Sequence, residues 1–450
     1  MENTETLLAG HRLDTSALPL LLTLALGVFV GALDLGVLSP ALPALAATFN
    51  VPTHELAWIF TIYLITNIVG IAVMSTLADR YGRRPIYVAC VSIFALGSVL
   101  AVMAPNFWIF LLARSVQAFG AGGIFPVATA AIGDTVPVER RGAALGMVAA
   151  MWGLAAIIGP LVGGIVTHFV SWRWIFAANF PLVAIVIVLA MRYVPTNAPR
   201  ARGPLDILGL GLLTGGLLAL MCGLTQNLFS STILGALALV AFAVYERRAR
   251  FPIVPGSLFA ARNVALIYAL EFVIGILEGA LFFIPTVLVA AQHLSYAAAG
   301  FIAAIGAFVF VAVIPASGRA LDRVGARNVL LCGTIFTTIG LAIFAFGFHS
   351  LLYSILSMIV AGLGFGALLG APTRYVITSE TPAAYRATAV GLLSQFLIFG
   401  QIVGASLVGG IIKFAGAELA GFQDAYVVFA LLGLVALAIA AQLRTPHKTA

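Results

Sequence analysis

Charge is what this chain has least of. Asp, Glu, Lys and Arg make up 9% of its 450 residues and hydrophobic residues 62%, whereas a soluble domain carries roughly 25% charged residues. No water-soluble fold can hide that much apolar surface. The chain therefore reads as an all-α polytopic membrane protein, because a helix satisfies its own backbone in lipid. Cysteine is also scarce. Cys90, Cys222 and Cys332 each sit in a different apolar run with no CxxC spacing, which excludes a disulfide framework and reads as small packing residues. His54, His168, His293 and His349 are scattered at the ends of apolar runs, too dispersed for a metal site. There is no GxxxxGK[ST] motif and no polar stretch between runs long enough for an ATPase, so no nucleotide and no cofactor is expected. Residues 1–17 lack the positive n-region of a signal peptide and read as a cytoplasmic tail. The net charge of +7 comes from basic residues placed singly or in short groups between apolar runs. That is a membrane-topology signal, not a nucleic-acid surface.

The apolar runs number fourteen: 18–46, 55–77, 85–104, 107–133, 142–167, 173–194, 205–224, 229–245, 264–290, 297–318, 327–346, 350–373, 387–414 and 423–442. Each approaches the roughly 20 residues that a spanning helix needs. With the N-terminus inside, every Lys and Arg except Arg114, Arg173 and Lys413 falls on a cytoplasmic segment, so both termini are expected in the cytoplasm. Trp58, Trp108, Trp172 and Trp174 fall at outer ends, as an interfacial aromatic belt should.

Between the second and third runs stands Leu77–Arg84, LADRYGRR. Asp79, Arg80, Arg83 and Arg84 cannot lie in hydrocarbon, and Gly82 permits a tight turn. The pattern recurs as LDRVGAR, with Asp322, Arg323 and Gly325 lying 243 residues after Asp79, Arg80 and Gly82. Arg141-Gly-Ala-Ala-Leu-Gly returns at Arg386 after 245 residues, and Leu33-Asp34 returns as Leu277-Glu278 after 244. A near-constant offset argues duplication. Two halves of six spans alone are too short for it, and residues 195–263, with their own two apolar runs, supply the difference. The plan is therefore a tail (1–17), a six-helix bundle (18–194), a linker with two extra helices (195–263), a second bundle (264–442) and a short tail (443–450). The two halves are parallel, as in some secondary transporters. The linker helices carry no motif, and Asp206 and Glu246 at their ends read as surface charges.

These residues resemble the major facilitator superfamily, and specifically its fourteen-helix drug:proton antiporter branch, across residues 18–442. LADRYGRR is similar to the signature loop between helices 2 and 3, with Ser75 where a glycine is usual; the second copy keeps it as Gly318. Arg114-Ser-Val-Gln117-Ala-Phe-Gly120 resembles the fourth-helix motif, with Ala118 in place of a glycine. Gly159-Pro160-Leu-Val-Gly163-Gly164 resembles the antiporter motif of helix 5, with Ala155 in place of a preceding glycine. Leu33-Asp34…Ala41-Leu42-Pro43 resembles the first-helix motif of the fourteen-helix branch. The resemblance implies a major facilitator fold, alternating access, and a role for Arg114 in proton relay or in fixing helix 4.

Charges inside spans cost roughly 2.5–3.5 kcal/mol on insertion scales, so Asp34, Glu271, Glu278 and Arg114 need a reason. Glu271 and Glu278 are two turns apart on one face of a helix. A buried acid there can hold a proton or a cationic substrate, and competition between the two is the simplest basis for antiport. The alternative for each is a local partner and a packing role only. Tyr63, Asn67, Gln117 and Phe282 are candidates for a substrate cavity, whose aromatic faces would suit a lipophilic cation. The loop residues Asp79, Arg80, Gly82, Arg83, Arg84, Asp322, Arg323 and Gly325 are assigned to a conformational switch. In Gly159, Pro160, Gly163 and Gly164, the proline bends the helix and the glycines allow close approach.

The expectation is a monomeric inner-membrane transporter exchanging protons for small lipophilic, cationic compounds. A same-fold carrier of a lipid, siderophore or metabolite, and a non-transporting sensor, are the rivals. Topology is directly testable. In a variant lacking Cys90, Cys222 and Cys332, an impermeant maleimide added to whole cells is expected to label a cysteine placed at His293 and not one placed at Ala198. The reverse pattern would invert the assignment.

Overall fold

A computed structural model describes residues 18–196, 206–249, 256–259, 261–382 and 385–444. The expected tail at 1–17, all but the first two residues of that at 443–450, and the linker stretches 197–205 and 250–255 lie outside the described residues. Among the described residues there is no strand, and fourteen helices are long and apolar enough to cross a membrane. The first six are α1 (Leu18–Phe49), α2 (Thr53–Tyr81), α3 (Arg83–Met103), α4 (Phe107–Thr135), α5 (Arg140–Phe169) and α6 (Arg173–Tyr193). The linker supplies α7 (Ile207–Gln226) and α8 (Phe229–Glu246). The last six are α9 (Arg262–Gln292), α10 (Tyr296–Val324), α11 (Ala326–Gly347), α12 (Leu351–Glu380), α13 (Thr388–Ala415) and α14 (Glu418–Ala441).

The sequence sets the breaks between these helices. Asn106 caps α4 by accepting from the Ile109 amide at 3.0 Å, Ser295 caps α10 from Ala298 at 3.2 Å, and Asp206 caps α7 from Gly209 at 2.9 Å, each satisfying an orphan donor of a first turn. The α2–α3 and α10–α11 turns pivot on Gly82 (φ 95°) and Gly325 (φ 81°), values that an L side chain rarely adopts. The duplication detected in the residues is thus repeated in backbone geometry. It is repeated again inside α1 and α9. A 3-10 turn at Ser39–Ala41, next to Pro40, interrupts α1; α9 is interrupted after Leu281 and resumes at Ile284 with Pro285. Each break follows shortly after the carboxylate-bearing turn of its helix.

The described residues sort into two compact units whose boundary cuts across the helices of the first half. One unit comprises those within 1–36, 66–158 and 173–205. Its core joins Leu20, Leu24 and Val28 of α1 to Tyr87, Cys90 and Phe94 of α3, to Ile124, Val127 and Ala131 of α4, and to Val183, Val186 and Ala190 of α6. Here α3 and α4 approach to backbone contact. A Cβ at Gly97 would overlap the Gln117 backbone, and one at Gly120 would meet Cys90 and Phe94.

The second unit comprises the residues within 37–65, 159–172 and 206–450. Its central contact is α9 on α13, where Gly275 and Gly279 meet Leu397, Gly400, Gln401 and Gly404. The linker helices belong to this unit. Ser231 of α8 donates to the Ala219 carbonyl of α7 at 2.8 Å, and Asn227 donates to the Gly410 carbonyl of α13 at 3.3 Å. Two sequence expectations change here. Glu246 is buried at 6% exposure instead of standing at the surface, beside a Tyr245 hydroxyl that donates to Asp206 at 2.9 Å. Trp172 is also buried, at 3%, with its indole N–H on Thr48 at 3.0 Å, so it is a packing residue and not part of an interfacial belt.

Gly275→Ala is expected to lower stability by about 1–3 kcal/mol through overpacking of α9 on α13. Gly142→Ala, whose Cβ meets nothing within 4 Å, is expected to stay within about 0.5 kcal/mol of the parent. Thermal unfolding of the purified proteins reads both.

Candidate functional site

Asp34 stands in α1 shortly before the break at Ser39, and α4 brings Arg114 and Gln117 to it. Neither the Asp34 nor the Arg114 side chain is exposed. Arg114 Nη1 donates to Asp34 Oδ2 and to Gln117 Oε1. Gln117 Nε2 donates to Asp34 Oδ1 at 2.8 Å and to Ser98 Oγ of α3 at 2.9 Å. Asn179 of α6 donates to Ser98 Oγ at 3.1 Å. The guanidinium lies over the Phe176 ring, 5.8 Å from its centroid. Four helices of one unit thus converge on one carboxylate, and its charge is balanced inside that unit. Arg114 thereby joins α4 to α1 and neutralises Asp34. Gln117, a cavity candidate from the sequence, is fully buried and committed to this network. Ser98 and Asn179 were not singled out from the sequence. Their only signal was polarity inside an apolar run.

The two acids of α9 are held differently. Glu278 is half-buried and accepts from the neutral Gln401 of α13 at 3.0 Å; the α9–α13 glycine contact sets that approach. Glu271 is 5% exposed, and its Oε2 has no hydrogen-bond partner among the described residues. The charges that act on it are Arg374 of α12 and Glu278. Neither acid is in an ion pair among the described residues. Each can therefore gain or lose a proton without breaking one.

The repeated loop is not used equally in its two copies. In the first, Arg83 Nη1 lies 2.6 Å from Asp79 Oδ1 and its Nε lies 3.0 Å from Asp134 Oδ2 at the end of α4, with all three side chains mostly buried. Arg84 donates from Nε to the Val194 carbonyl at 2.5 Å, and Arg80 is exposed. In the second copy Asp322 and Arg323 are exposed, and neither forms an ion pair among the described residues. The reason is a single replacement: the position equivalent to Arg83 is Ala326. The residue near Asp134's place in the second half, Glu380, accepts instead from Asn263 Nδ2 of α9 at 2.5 Å. Asp134 too was missed in the sequence, since it lies one residue past the expected end of its span.

Around Pro160, Gly163 packs on the Val37 backbone of α1, while Gly164 packs on Tyr296, Ala297 and Gly300 of α10. The two neighbouring glycines serve two different helices. Gly159 opens this second-unit segment of α5. The remaining cavity candidates fall in both units. Tyr63, at 1% exposure, belongs to the second unit, whereas Asn67 belongs to the first and donates to the Ala118 carbonyl at 3.4 Å. Phe282 stacks on Phe60, centroids 4.3 Å apart, and its carbonyl accepts from Ser39 Oγ at 2.6 Å.

Residues 24–310 and 264–450 match the Major Facilitator Superfamily, and the chain belongs to that family. It is 32% identical over 426 residues to the uncharacterized MFS-type transporter YfiU of Bacillus subtilis (strain 168), covering 88% of this chain and 80% of that protein. It is 30% identical over 259 residues to the efflux pump dotC of Dothistroma septosporum, covering 54% of this chain and 44% of dotC. The crystal structure of a D-xylose-proton symporter shares the fold, with TM-score 0.72 and 15% identity over 95% of this chain and 98% of that one. The protein is a multi-pass membrane transporter of small substrates and not an enzyme.

Arg114→Gln is expected to cost about 3–5 kcal/mol by leaving Asp34 as an unbalanced buried charge. The double variant Asp34→Asn/Arg114→Gln is expected to regain most of that loss, giving a large coupling energy in a thermal-stability cycle.

Proposed function

We propose that the protein is a proton-coupled antiporter of the cell inner membrane, monomeric and with both termini cytoplasmic, that exports lipophilic, cationic compounds by alternating access. The observation that carries this reading is the contrast between its intramembrane acids. Asp34 is matched by Arg114, whereas Glu278 has a neutral partner and Glu271 has an oxygen with none. An acid without a cation is balanced either by a proton or by a cationic cargo, and binding one expels the other. Glu278, half-buried, is the exchange point. Glu271 extends the same face of α9 by two turns and passes the proton onward. Protonation of Asp34 would free Arg114 and loosen α1 from α4, which ties proton binding to a change of helix packing.

The Asp79–Arg83–Asp134 cluster then acts as the conformational latch of the first half. Gly159, Pro160, Gly163 and Gly164 provide the smooth, bendable surface on which α1 and α10 move. Of the aromatic candidates, the half-buried Phe282 offers a face to a cation, while Tyr63 and Phe60 are buried. The drive is sufficient. One proton crossing 100 mV releases about 2.3 kcal/mol, and each pH unit adds about 1.4 kcal/mol. Export is supported by the relative named as an efflux pump. A relative named for a biosynthesis cluster favours a second reading, in which the cargo is an endogenous metabolite.

In proteoliposomes with an imposed pH gradient, Glu278→Gln is expected to reduce gradient-driven efflux of ethidium at least about a hundredfold, the scale of a lost proton-transfer group. Efflux equal to the parent would sink the acid-based mechanism.

A further inference from the structure

We propose that Ser98 and Asn179 are positioning residues that set the direction of the Gln117 amide and thereby hold Asp34 on Arg114. The proposal rests on the reading of Asp34 and Arg114 as part of the coupling machinery, and it concerns how that pair is held.

The argument is one of donors and acceptors. A hydroxyl has one donor hydrogen and two acceptor lone pairs. Ser98 gives its hydrogen to the Phe94 carbonyl of its own helix, 3.1 Å away. Only its acceptors are left, and both are used, by Gln117 Nε2 at 2.9 Å and Asn179 Nδ2 at 3.1 Å. Ser98 therefore accepts the NH2 end of Gln117 and rejects its carbonyl end. With the NH2 group turned this way, one hydrogen reaches Ser98 and the other reaches Asp34 Oδ1 at 2.8 Å. The carbonyl then necessarily points at the Arg114 guanidinium, where it accepts. A reversed amide would set an oxygen against the carboxylate and another acceptor, and an NH2 group against a cation. All three contacts of the amide would fail together.

Asn179 completes the arrangement from α6. It occupies the second lone pair of Ser98, so the hydroxyl hydrogen cannot turn toward α6 and is left on the Phe94 carbonyl. The arrangement is dry: Ser98 and Gln117 are fully buried and Asn179 is 5% exposed, so water does not replace a lost partner. It also depends on Gly97, whose missing side chain lets α3 reach the Gln117 backbone. Among the described residues, Arg114 is the charged side chain acting on Asp34; α3 and α6 contribute the neutral Ser98 and Asn179. These two residues therefore do not balance the charge. They orient the group that does half of the holding.

The test reads Asp34 directly. In purified protein its carboxyl infrared band is assigned by its loss in Asp34→Asn, and its intensity is followed against pH. Ser98→Ala is expected to move the midpoint by about half a pH unit or more, about threefold in proton affinity, the scale of one hydrogen bond. Ser98→Thr, which keeps the hydroxyl, is expected to restore it, and Asn179→Leu to behave as Ser98→Ala does. The same variants in proteoliposomes are expected to show a displaced pH profile of gradient-driven efflux, with melting temperatures close to the parent. Parental midpoints in both Ser98→Ala and Asn179→Leu would overturn the proposal. Parental efflux in Asp34→Asn alongside a moved midpoint in Ser98→Ala would sink the coupling role and leave the positioning role standing. Loss of proton drive in Asp34→Asn with unmoved midpoints in the other two would do the opposite.

Discussion

The Asp34–Arg114 pair lies with neither side chain exposed, in a segment whose surroundings otherwise cannot solvate a charge. Taking either group out of water alone costs several kcal/mol, and their attraction offsets this only when geometry is good and the remaining polar atoms are satisfied. The rest of the first unit follows from that condition. Helix α4 must sit where Arg114 reaches α1. Helix α3 must come close enough for Ser98 to reach Gln117, which Gly97 allows. Helix α6 must present Asn179 to the same point. A single ion pair thus specifies the mutual positions of four helices, which apolar packing alone would leave free to slide.

The same cost is met in another way in the second unit. Glu278 and Glu271 form no ion pair among the described residues, although Arg374 of α12 acts on Glu271. What places them is close backbone packing of α9 on α13 through glycines, which brings Gln401 to Glu278. In lipid, small residues are the natural device for holding helices together, since apolar side chains gain little by leaving hydrocarbon for protein. Charge pairing organises one unit and glycine contact the other. Under the proposed mechanism the two devices do different work: the acids of α9 exchange protons without disturbing their own helix contact, whereas protonation of Asp34 loosens α1 from α4.

Duplication preserved geometry more faithfully than chemistry. Both the α2–α3 and the α10–α11 loops turn on a glycine at positive φ, and both first helices break just past their carboxylate. Yet Arg83 closes a buried cluster with Asp79 and Asp134 while its counterpart is Ala326, and the second copy stays open to solvent. One residue type at one position decides whether the loop carries a buried ion-pair cluster.

The fourteen spans, the repeat and the acids within the membrane were all legible in the residues, because each depends on local quantities. Apolar run length decides what crosses a bilayer, and a charge inside a run is conspicuous. Trp172, Glu246 and Asp134 were misjudged or overlooked because their surroundings come from distant segments: Thr48, Gly209 and Arg83. The same is true of Ser98 and Asn179, which look like any polar residue in a membrane helix until α3, α4 and α6 are assembled around α1. By itself the sequence determined the membrane class, the helix count, the duplication and the identity of the buried charges, since these follow from composition and spacing along one dimension. Only the tertiary structure decided which charge is paired, which is held by a neutral neighbour and which way the Gln117 amide points. Those are properties of donors and acceptors brought together from helices far apart in the chain.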